Sequence, residues 1–248
     1  MKRIELQIQY IGSFYSGWQR QQNSQSVQQT IEEALFKLTG DRLVLHAAGR
    51  TDAGVHALDQ RAIFDTDSKI PVERFKYALN AYLPDDIRIV RSQEVEADWH
   101  PRFNKHLKVY RYTVDTAKIV RPFDFPYVWP FKGQLDLTEL QILSESIIGT
   151  KDFTNFCASG SSVQNKTRTI TSSSWKQEGS KYIFEIVGNG FLYHMVRLLV
   201  GTQMQVMRKR LTYEDFLKML NNPLQGPKAN LLAPAKGLCL YRIIYEDT

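Results

Sequence analysis

The sequence predicts an α+β fold made of two ferredoxin-like (βαββαβ) halves. Three observations lead there. Strand-period and helix-period segments of the first half follow one another in the order β-α-β-β-α-β. The second half runs β-α-β-β-α-α-β, the same order with one helix added. Between them, Pro101 to Leu107 reads as a crossover rather than as an element. Two domains are therefore expected, residues 1–104 and residues 105–248. Their sheets are expected to join edge to edge into one mixed, mostly antiparallel sheet, with helices on one side and an active-site cleft between the halves. What recurs is the element order; no residue-level repeat is visible.

Each element has its own signal. In residues 2–10, Ile4, Leu6 and Ile8 alternate with Glu5, Gln7 and Gln9, the pattern of a half-buried strand. Ser26 with Gln29 three residues on forms a capping box. Val27, Ile31, Ala34, Leu35 and Leu38 then recur at helical spacing until Gly40. Residues 42–48 and 59–66 read as strands. Pro71 opens a helix whose face carries Val72, Phe75, Leu79 and Leu83, and Pro84 stops it. Ile87 to Val95 is a strand, as is Lys108 to Asp115. Asp136 caps a helix bearing Leu140, Leu143 and Ile147, closed by Gly149. Strands over 167–177 and 181–188 flank the turn Glu178-Gly179-Ser180. Helices over 191–208 and Thr212 to Leu220 precede a last strand, Leu238 to Tyr245.

Composition excludes several classes. The chain has 248 residues, 43% apolar and 23% charged, which is ordinary for a globular protein. Two cysteines, Cys157 and Cys239, make no disulfide scaffold and have no metal-ligand spacing, so a reducing cytoplasm is the expected setting. The strand pattern behind Met1 differs from the continuous apolar centre of a signal peptide. The longest apolar run, Phe191 to Val200, carries His194 and Arg197 and is too short to span a bilayer. Asn165-Lys166-Thr167 fits a glycosylation acceptor, a chance match in a cytoplasmic chain. With 32 Lys and Arg against 26 Asp and Glu, the net charge of +6 suits a polyanionic partner, or simply a basic solvated surface.

Three segments carry residue types that do chemistry. In Gly49–Ala57 a cation (Arg50), a carboxylate (Asp52) and a titratable ring (His56) lie within seven residues of a run whose two glycines let the chain turn sharply. The plain alternative is a polar turn in which Asp52 caps backbone N–H groups. In Trp99–Tyr112 basic and aromatic residues interleave, the composition of a surface that pairs phosphates and stacks bases. Tyr110 and Tyr112 share one strand face there, and core packing accounts more readily for Tyr112. In Asn189–Gly201, Arg197 sits in an apolar run one helical turn after His194. It either braces the helix through an internal ion pair or pairs with a catalytic aspartate. Other chemistries lack their motifs. Gly12 and Gly17 have phosphate-loop spacing, but Trp18-Gln19 follow where Lys and Ser or Thr are required. There is no paired-His zinc spacing, no nucleophile elbow and no nucleotide fingerprint. If the chain is an enzyme, these absences point to one that works from a carboxylate without a cofactor or metal.

Together, Gly49–Ala57, Lys108–Tyr112 and Asn189–Gly201 resemble the tRNA pseudouridine synthase A family, in that family's order. Gly17-Trp18-Gln19-Arg20-Gln21, Asn80 with Leu83-Pro84 and Asp86-Ile87, Asp152–Phe156, Arg168-Thr169-Ile170 and Gly237–Leu240 extend the match over essentially the whole chain. One departure is Tyr10-Ile11-Gly12, where the family usually has Tyr-Asp-Gly. The resemblance implies isomerisation of uridine to pseudouridine in the anticodon stem-loop of tRNA (tRNA positions 38, 39 and 40). It implies Asp52 as the catalytic carboxylate, attacking ribose C1′ or base C6 or removing a ribose proton, with the choice open. It further implies Tyr110 as the aromatic that stacks on the target base, and Arg197 as the cation paired with the aspartate, lowering its pKa. Arg50, His56, Arg102 and Lys108 would contact RNA, and the uridine would be flipped from its stack. The implied partners are tRNA and a second copy of the chain in a homodimer, with no membrane. Two other classes compete. A non-catalytic RNA-binding module gives no reason for Asp52 to face an anionic ligand. A carboxylate glycoside hydrolase normally needs a second carboxyl group, and no nearby pair stands out.

Overall fold

The computed structural model describes residues 1–160, 163–223 and 226–246. The chain divides into two compact units. One comprises Met1–His106 together with the C-terminal stretch from Leu240; the other is Leu107–Cys239.

The first unit contains β1 (Lys2–Tyr10), α1 (Val27–Thr39), β2 (His46–Ala47), β3 (His56–Thr66), α2 (Phe75–Asn80) and β4 (Ile87–Val95). The second contains most of β5 (His106–Asp115), then β6 (Trp129–Pro130), α3 (Leu137–Glu145), β7 (Gly149–Asp152), β8 (Thr167–Glu178), β9 (Lys181–Gly188), α4 (Met195–Met207) and α5 (Tyr213–Asn221). The last strand, β10 (Leu238–Tyr245), begins in the second unit and runs into the first. Among the described residues no helix is long and apolar enough to cross a membrane.

In the first unit the strands lie in the order β4-β1-β3-β10, and β2 adds a two-residue pairing to β3. β1 is antiparallel to both β3 and β4. Ile4, Leu6 and Ile8 of β1 and Phe64 of β3 are buried with Val27, Ile31 and Leu35 of α1 and Phe75 and Leu79 of α2. Each such side chain contributes roughly 1.5–3 kcal/mol by leaving water. Phe64 and Phe75 meet edge to face at 5.5 Å. The alternate residues of β1 and β3 carry a charged network. Arg61 donates from Nε to Asp59 (2.6 Å) and from Nη1 to Glu5 (3.0 Å). Asp59 also accepts from Gln7 (2.9 Å) and from the backbone N–H of Ile243 in β10 (2.9 Å). One buried carboxylate thus ties the returning strand to β3.

In the second unit the order β5-β9-β8-β7 is antiparallel throughout, and β6 makes a short parallel pairing with β5. Tyr112, Phe184 and Ile186 are buried with Leu140 and Leu143 of α3, Leu199 and Met204 of α4 and Phe216 of α5. Trp175 is buried too, and its indole N–H donates to Gln203 of α4 at 2.8 Å.

Local chemistry explains where sequence expectation and structure part. Ser26 caps α1 by accepting from Gln29 N–H (3.2 Å), but the Gln29 side chain reaches forward to Glu33 (2.8 Å), so the reciprocal half of the capping box is not made. Gly40 ends the helix at φ +79°. A full capping box forms instead at Thr212 and Asp215 of α5. The strand expected over 42–48 shrinks to His46–Ala47 because the Leu45 N–H goes to the Glu32 carboxylate (3.1 Å) rather than to a ladder. The helix behind Pro71 begins as a 3₁₀ turn and ends at Asn80. α4 starts at Met195, not 191, because His194 takes a left-handed conformation at φ +64° as its N-cap. His194 and Arg197 are therefore not one-turn neighbours on a helix face.

α4 also carries the tightest backbone approach of its unit. A Cβ on Gly201 would lie 1.8 Å from the Leu231 carbonyl oxygen. Gly201→Ala should force residues 231–233 away from α4 and cost about 1–3 kcal/mol, the usual penalty of overpacking. Denaturant unfolding measures it; a loss under about 0.5 kcal/mol would show that the segment yields freely.

Candidate functional site

Arg50 and Asp52 lie on the loop of the first unit between β2 and β3, and His56 is the first residue of β3. Two tight features shape that loop. Gly54 turns it at φ +78°, and the Val55 N–H closes the turn onto the Asp52 carbonyl (3.1 Å). A bulge then shifts the β1–β3 register, so that Tyr10 faces Ala57 while Ile8 faces Gln60. Such bulges re-aim side chains at a strand end.

The loop is held mostly through its backbone. The Gly49 carbonyl accepts from buried Gln60 (2.9 Å). The Thr51 carbonyl accepts from Trp18 N–H (3.1 Å), and the Thr51 hydroxyl pairs with the Tyr10 hydroxyl (2.8 Å). Gly54 N–H donates to the Tyr15 carbonyl (3.2 Å). Gly12 N–H donates to Nδ1 of His56 (3.1 Å). Apart from Gln60 of β3, these partners belong to residues 10–18, which are themselves fastened to α1: Val27 N–H bonds the Gly17 carbonyl and Gln28 N–H the Trp18 carbonyl. Tyr15 donates its hydroxyl to Asp86 (2.6 Å), and burial followed by that carboxylate pushes its phenol above the ordinary range. Position 11, where the family aspartate is replaced, contributes its backbone: Ile11 N–H donates to the Asp86 carbonyl (2.9 Å).

The three residues predicted in Gly49–Ala57 have different settings. Asp52 is half-buried, Arg50 is exposed, and His56 is 6% exposed. The Gly12 bond needs the Nδ1 lone pair, so a neutral His56 carries its proton on Nε2. Arg102 lies in an exposed turn further along the same unit. Its guanidinium stands 6.0 Å over the Phe103 ring, which is 76% exposed, and the Arg102 backbone N–H donates to Nδ1 of His100 (3.1 Å). Burial, then the positive charges of His46, Arg3 and Arg102, hold His100 below its ordinary pKa.

Lys108, Tyr110 and Arg197 belong to the second unit. Lys108 and Tyr110 sit two apart on β5, opposite Gly188 and Ile186 of β9, and so share a face. Tyr110 is 8% exposed and meets Phe191 edge to face at 5.0 Å. Arg197 is half-buried in the first turn of α4 and donates from Nε to the Ala233 carbonyl (2.8 Å), while Ala233 N–H returns to the Arg197 carbonyl. The same stretch holds Tyr112, whose hydroxyl donates to the Pro234 carbonyl (2.8 Å) and whose ring fills the space beside Gly237. Burial raises the Tyr112 phenol, and the charge of Arg197 opposes it. Tyr112 is thus core, as the strand pattern suggests.

Sequence reasoning missed the residues that position the aspartate. The spacing of Gly12 and Gly17 is that of a phosphate loop, which says nothing of their place against the aspartate loop. A Cβ on Gly12 would stand 2.0 Å from the Val55 carbonyl oxygen, and one on Gly17 2.6 Å from that of Thr51. Phe191 likewise gave no signal apart from its place in an apolar run.

Known proteins resemble the chain over its length. A family model described as tRNA pseudouridine synthase matches residues 7–104 and 143–246. A tRNA pseudouridine synthase A of Acetivibrio thermocellus is 42% identical over 245 residues, covering 99% of this chain and all of that protein. One from Streptococcus uberis is 41% identical over 254 residues, covering both chains fully. One from Citrifermentans bemidjiense is 37% identical over 247 residues, covering this chain fully and 99% of its own.

The clamp on the aspartate loop can be tested by comparing two glycines. Gly40 has φ +79° with open space around it, whereas Gly17 has φ +91° with Thr51 against it. Gly40→Ala should cost only the left-handed backbone penalty, about 1–2 kcal/mol. Gly17→Ala should cost at least about 1 kcal/mol more in denaturant unfolding. Equal losses would show that the approach of the two loops is not tight.

Proposed function

The chain belongs to the tRNA pseudouridine synthase family, and on that premise we propose that Asp52 is the carboxylate through which it works. The enzyme is an isomerase that converts uridine in tRNA to pseudouridine. The N1–C1′ bond of the uridine breaks, the base turns, and C5 bonds to C1′. The C5 proton is then lost and N1 gains one, so atoms balance without a second substrate. Every step needs the base held beside its ribose while it is detached.

The observation that carries this reading is a half-buried aspartate on a loop whose neighbouring Thr51 carbonyl and Gly54 N–H are taken up by residues 10–18. The backbone that carries this carboxylate is thereby held in place, which suits a group that must meet one reacting atom. We propose Tyr110 and Arg197 as the other catalytic residues, by their match to the family motifs. Tyr110 offers an aromatic face for the uracil ring. Arg197 offers a cation whose stem is fixed by the Ala233 carbonyl. Arg50, Arg102 and Lys108 are proposed to contact RNA, supported by exposure of the first two and by the Arg102–Phe103 pair, a cation beside a stacking surface. His56, with Nδ1 committed to Gly12, is proposed to orient the loop as well as to touch RNA. The substrate uridines are proposed to be neighbours on the 3′ side of the anticodon arm, and the setting the cytoplasm.

Asp52→Asn keeps the size of the side chain and removes its charge. Pseudouridine formation in tRNA should fall by about 10³-fold or more, as on removal of a nucleophile elsewhere, while tRNA is still bound. Retention of more than a tenth of the parental rate would overturn the assignment, and release of free uracil would mark a hydrolase instead.

We also propose that two copies act together as a homodimer. Ile119 and Phe123, 87% and 91% exposed in the segment before β6, are apolar side chains that such an association would cover. Sedimentation at micromolar concentration should give twice the mass of one chain; a single-chain mass would refute the dimer.

A further inference from the structure

The second unit holds a cavity of about 380 Å³ that no step above uses. It lies where the chain segments around residues 154–160 and 228–232 meet the start of α4. Its walls are of two kinds. Lys166 and Lys228 supply two ammonium groups, and His194 adds an imidazole. Leu198, Leu232 and Ala229 supply an apolar side. No carboxylate is among its lining residues. Asp152, the acidic residue nearest in sequence, turns its Oδ1 to the Thr154 N–H (2.8 Å) and hydroxyl (2.6 Å). Among the described residues neither Lys166 nor Lys228 forms an ion pair, unlike Lys181 with Asp124 or Lys209 with Glu139 in the same unit.

Two like charges at one opening repel each other, and an anion between them removes that repulsion. The volume exceeds what a lone phosphate needs and lies in the range of small-molecule sites. An apolar wall beside a cationic one matches a ligand with an anionic end and a flat, weakly polar end. His194 adds an independent sign. It is one of two described non-glycine residues with positive φ, and its +64° places the ring at the cavity rather than along α4. Residues kept in such conformations cluster at ligand sites.

We propose that this cavity is a nucleotide subsite, which takes one further ribonucleotide of the substrate RNA besides the reacting uridine. Its phosphate lies between Lys166 and Lys228, and its base lies against Leu198, Leu232 and Ala229. The inference rests on the tRNA reading above. The same chemistry could recognise a free nucleotide or inorganic phosphate, and the experiment separates these sources.

Three proteins are compared: the parent, the double variant Lys166→Ala with Lys228→Ala, and Ala229→Phe, which fills the cavity without altering charge. Affinity for tRNA is measured across a salt series, alongside turnover at saturating tRNA. The double variant should bind about 10-fold more weakly, with a log–log salt slope smaller by about 1 to 2. Ala229→Phe should also weaken binding several-fold. Turnover at saturation should be nearly unchanged in both. If the lysine changes weaken binding and Ala229→Phe does not, the lysines act as surface charge and the cavity holds nothing, which overturns the proposal. So does parental affinity in both variants. Should Ala229→Phe fail to fold by circular dichroism, Ala229→Leu replaces it with the same expectations.

In the second arm the parent is titrated with uridine 5′-monophosphate and with inorganic phosphate, following the ring signals of His194 by NMR. The mononucleotide should bind saturably with a dissociation constant of about 1–10 mM, a few kcal/mol of binding, and more tightly than phosphate. Equal binding of phosphate, or no saturable shift, refutes a nucleotide subsite. A parent that binds the mononucleotide but leaves tRNA unmodified would sink the functional reading and not the subsite.

Discussion

The first unit depends on two chain segments being allowed to touch backbone to backbone. Residues 10–18 and 49–56 meet where Gly12 faces Val55 and Gly17 faces Thr51, at separations no Cβ could share. Because both glycines lack that atom, the carbonyls and N–H groups of one segment satisfy those of the other. The first segment is also hydrogen-bonded to the N-terminus of α1. The aspartate loop is therefore referenced to a helix and to a bulged strand end, although it contains no regular structure itself. Loops that carry chemistry need this kind of scaffold, since their own residues bury too little to order them.

The second unit solves a comparable problem by a different route. Arg197 is a long, flexible cation in the first turn of a largely buried helix. It is not left to find its own rotamer. The Ala233 carbonyl accepts its Nε–H, and the close pass of Leu231 over Gly201 fixes where that carbonyl lies. The next residues hold Tyr112 through Pro234 and Gly237, so one irregular segment positions a helix residue and a strand residue together. Tyr110, two residues earlier on the same strand, is instead fixed by contact with Phe191 just before α4.

Both arrangements bear on the chemistry. An isomerase that detaches a base and rejoins it gains from groups that do not reorganise during the reaction. If Tyr110 and Arg197 act as proposed, a ring braced edge-on by Phe191 and a guanidinium tethered at Nε each lose little freedom when substrate arrives. The buried network of Arg61, Asp59 and Glu5 has a different task. It fastens β10 to β3 by way of the Ile243 N–H, which brings the end of the chain back to its first unit.

The sequence by itself determined the periodic elements and the motif residues. The alternation in residues 2–10, the Ser26 and Asp136 caps, the Gly40 and Gly179 turns and the strands over 167–188 are local properties, set by side-chain period and by backbone freedom within a few residues. Asp52, Tyr110 and Arg197 stand out as candidates because they lie in runs that resemble the motifs of one family. Tertiary structure alone decided the rest. The expected strand over 42–48 gave way because Glu32, thirteen positions before Leu45, competes for its backbone. The start of α4 moved because His194 turns into a left-handed conformation. Gly12 and Gly17 acquired their purpose only from Val55 and Thr51, some forty and thirty-odd residues away. Periodicity reports how a residue sits on its own element. Which distant carbonyl lies 2 Å from where a Cβ would be depends on how the elements pack, and no local pattern records that.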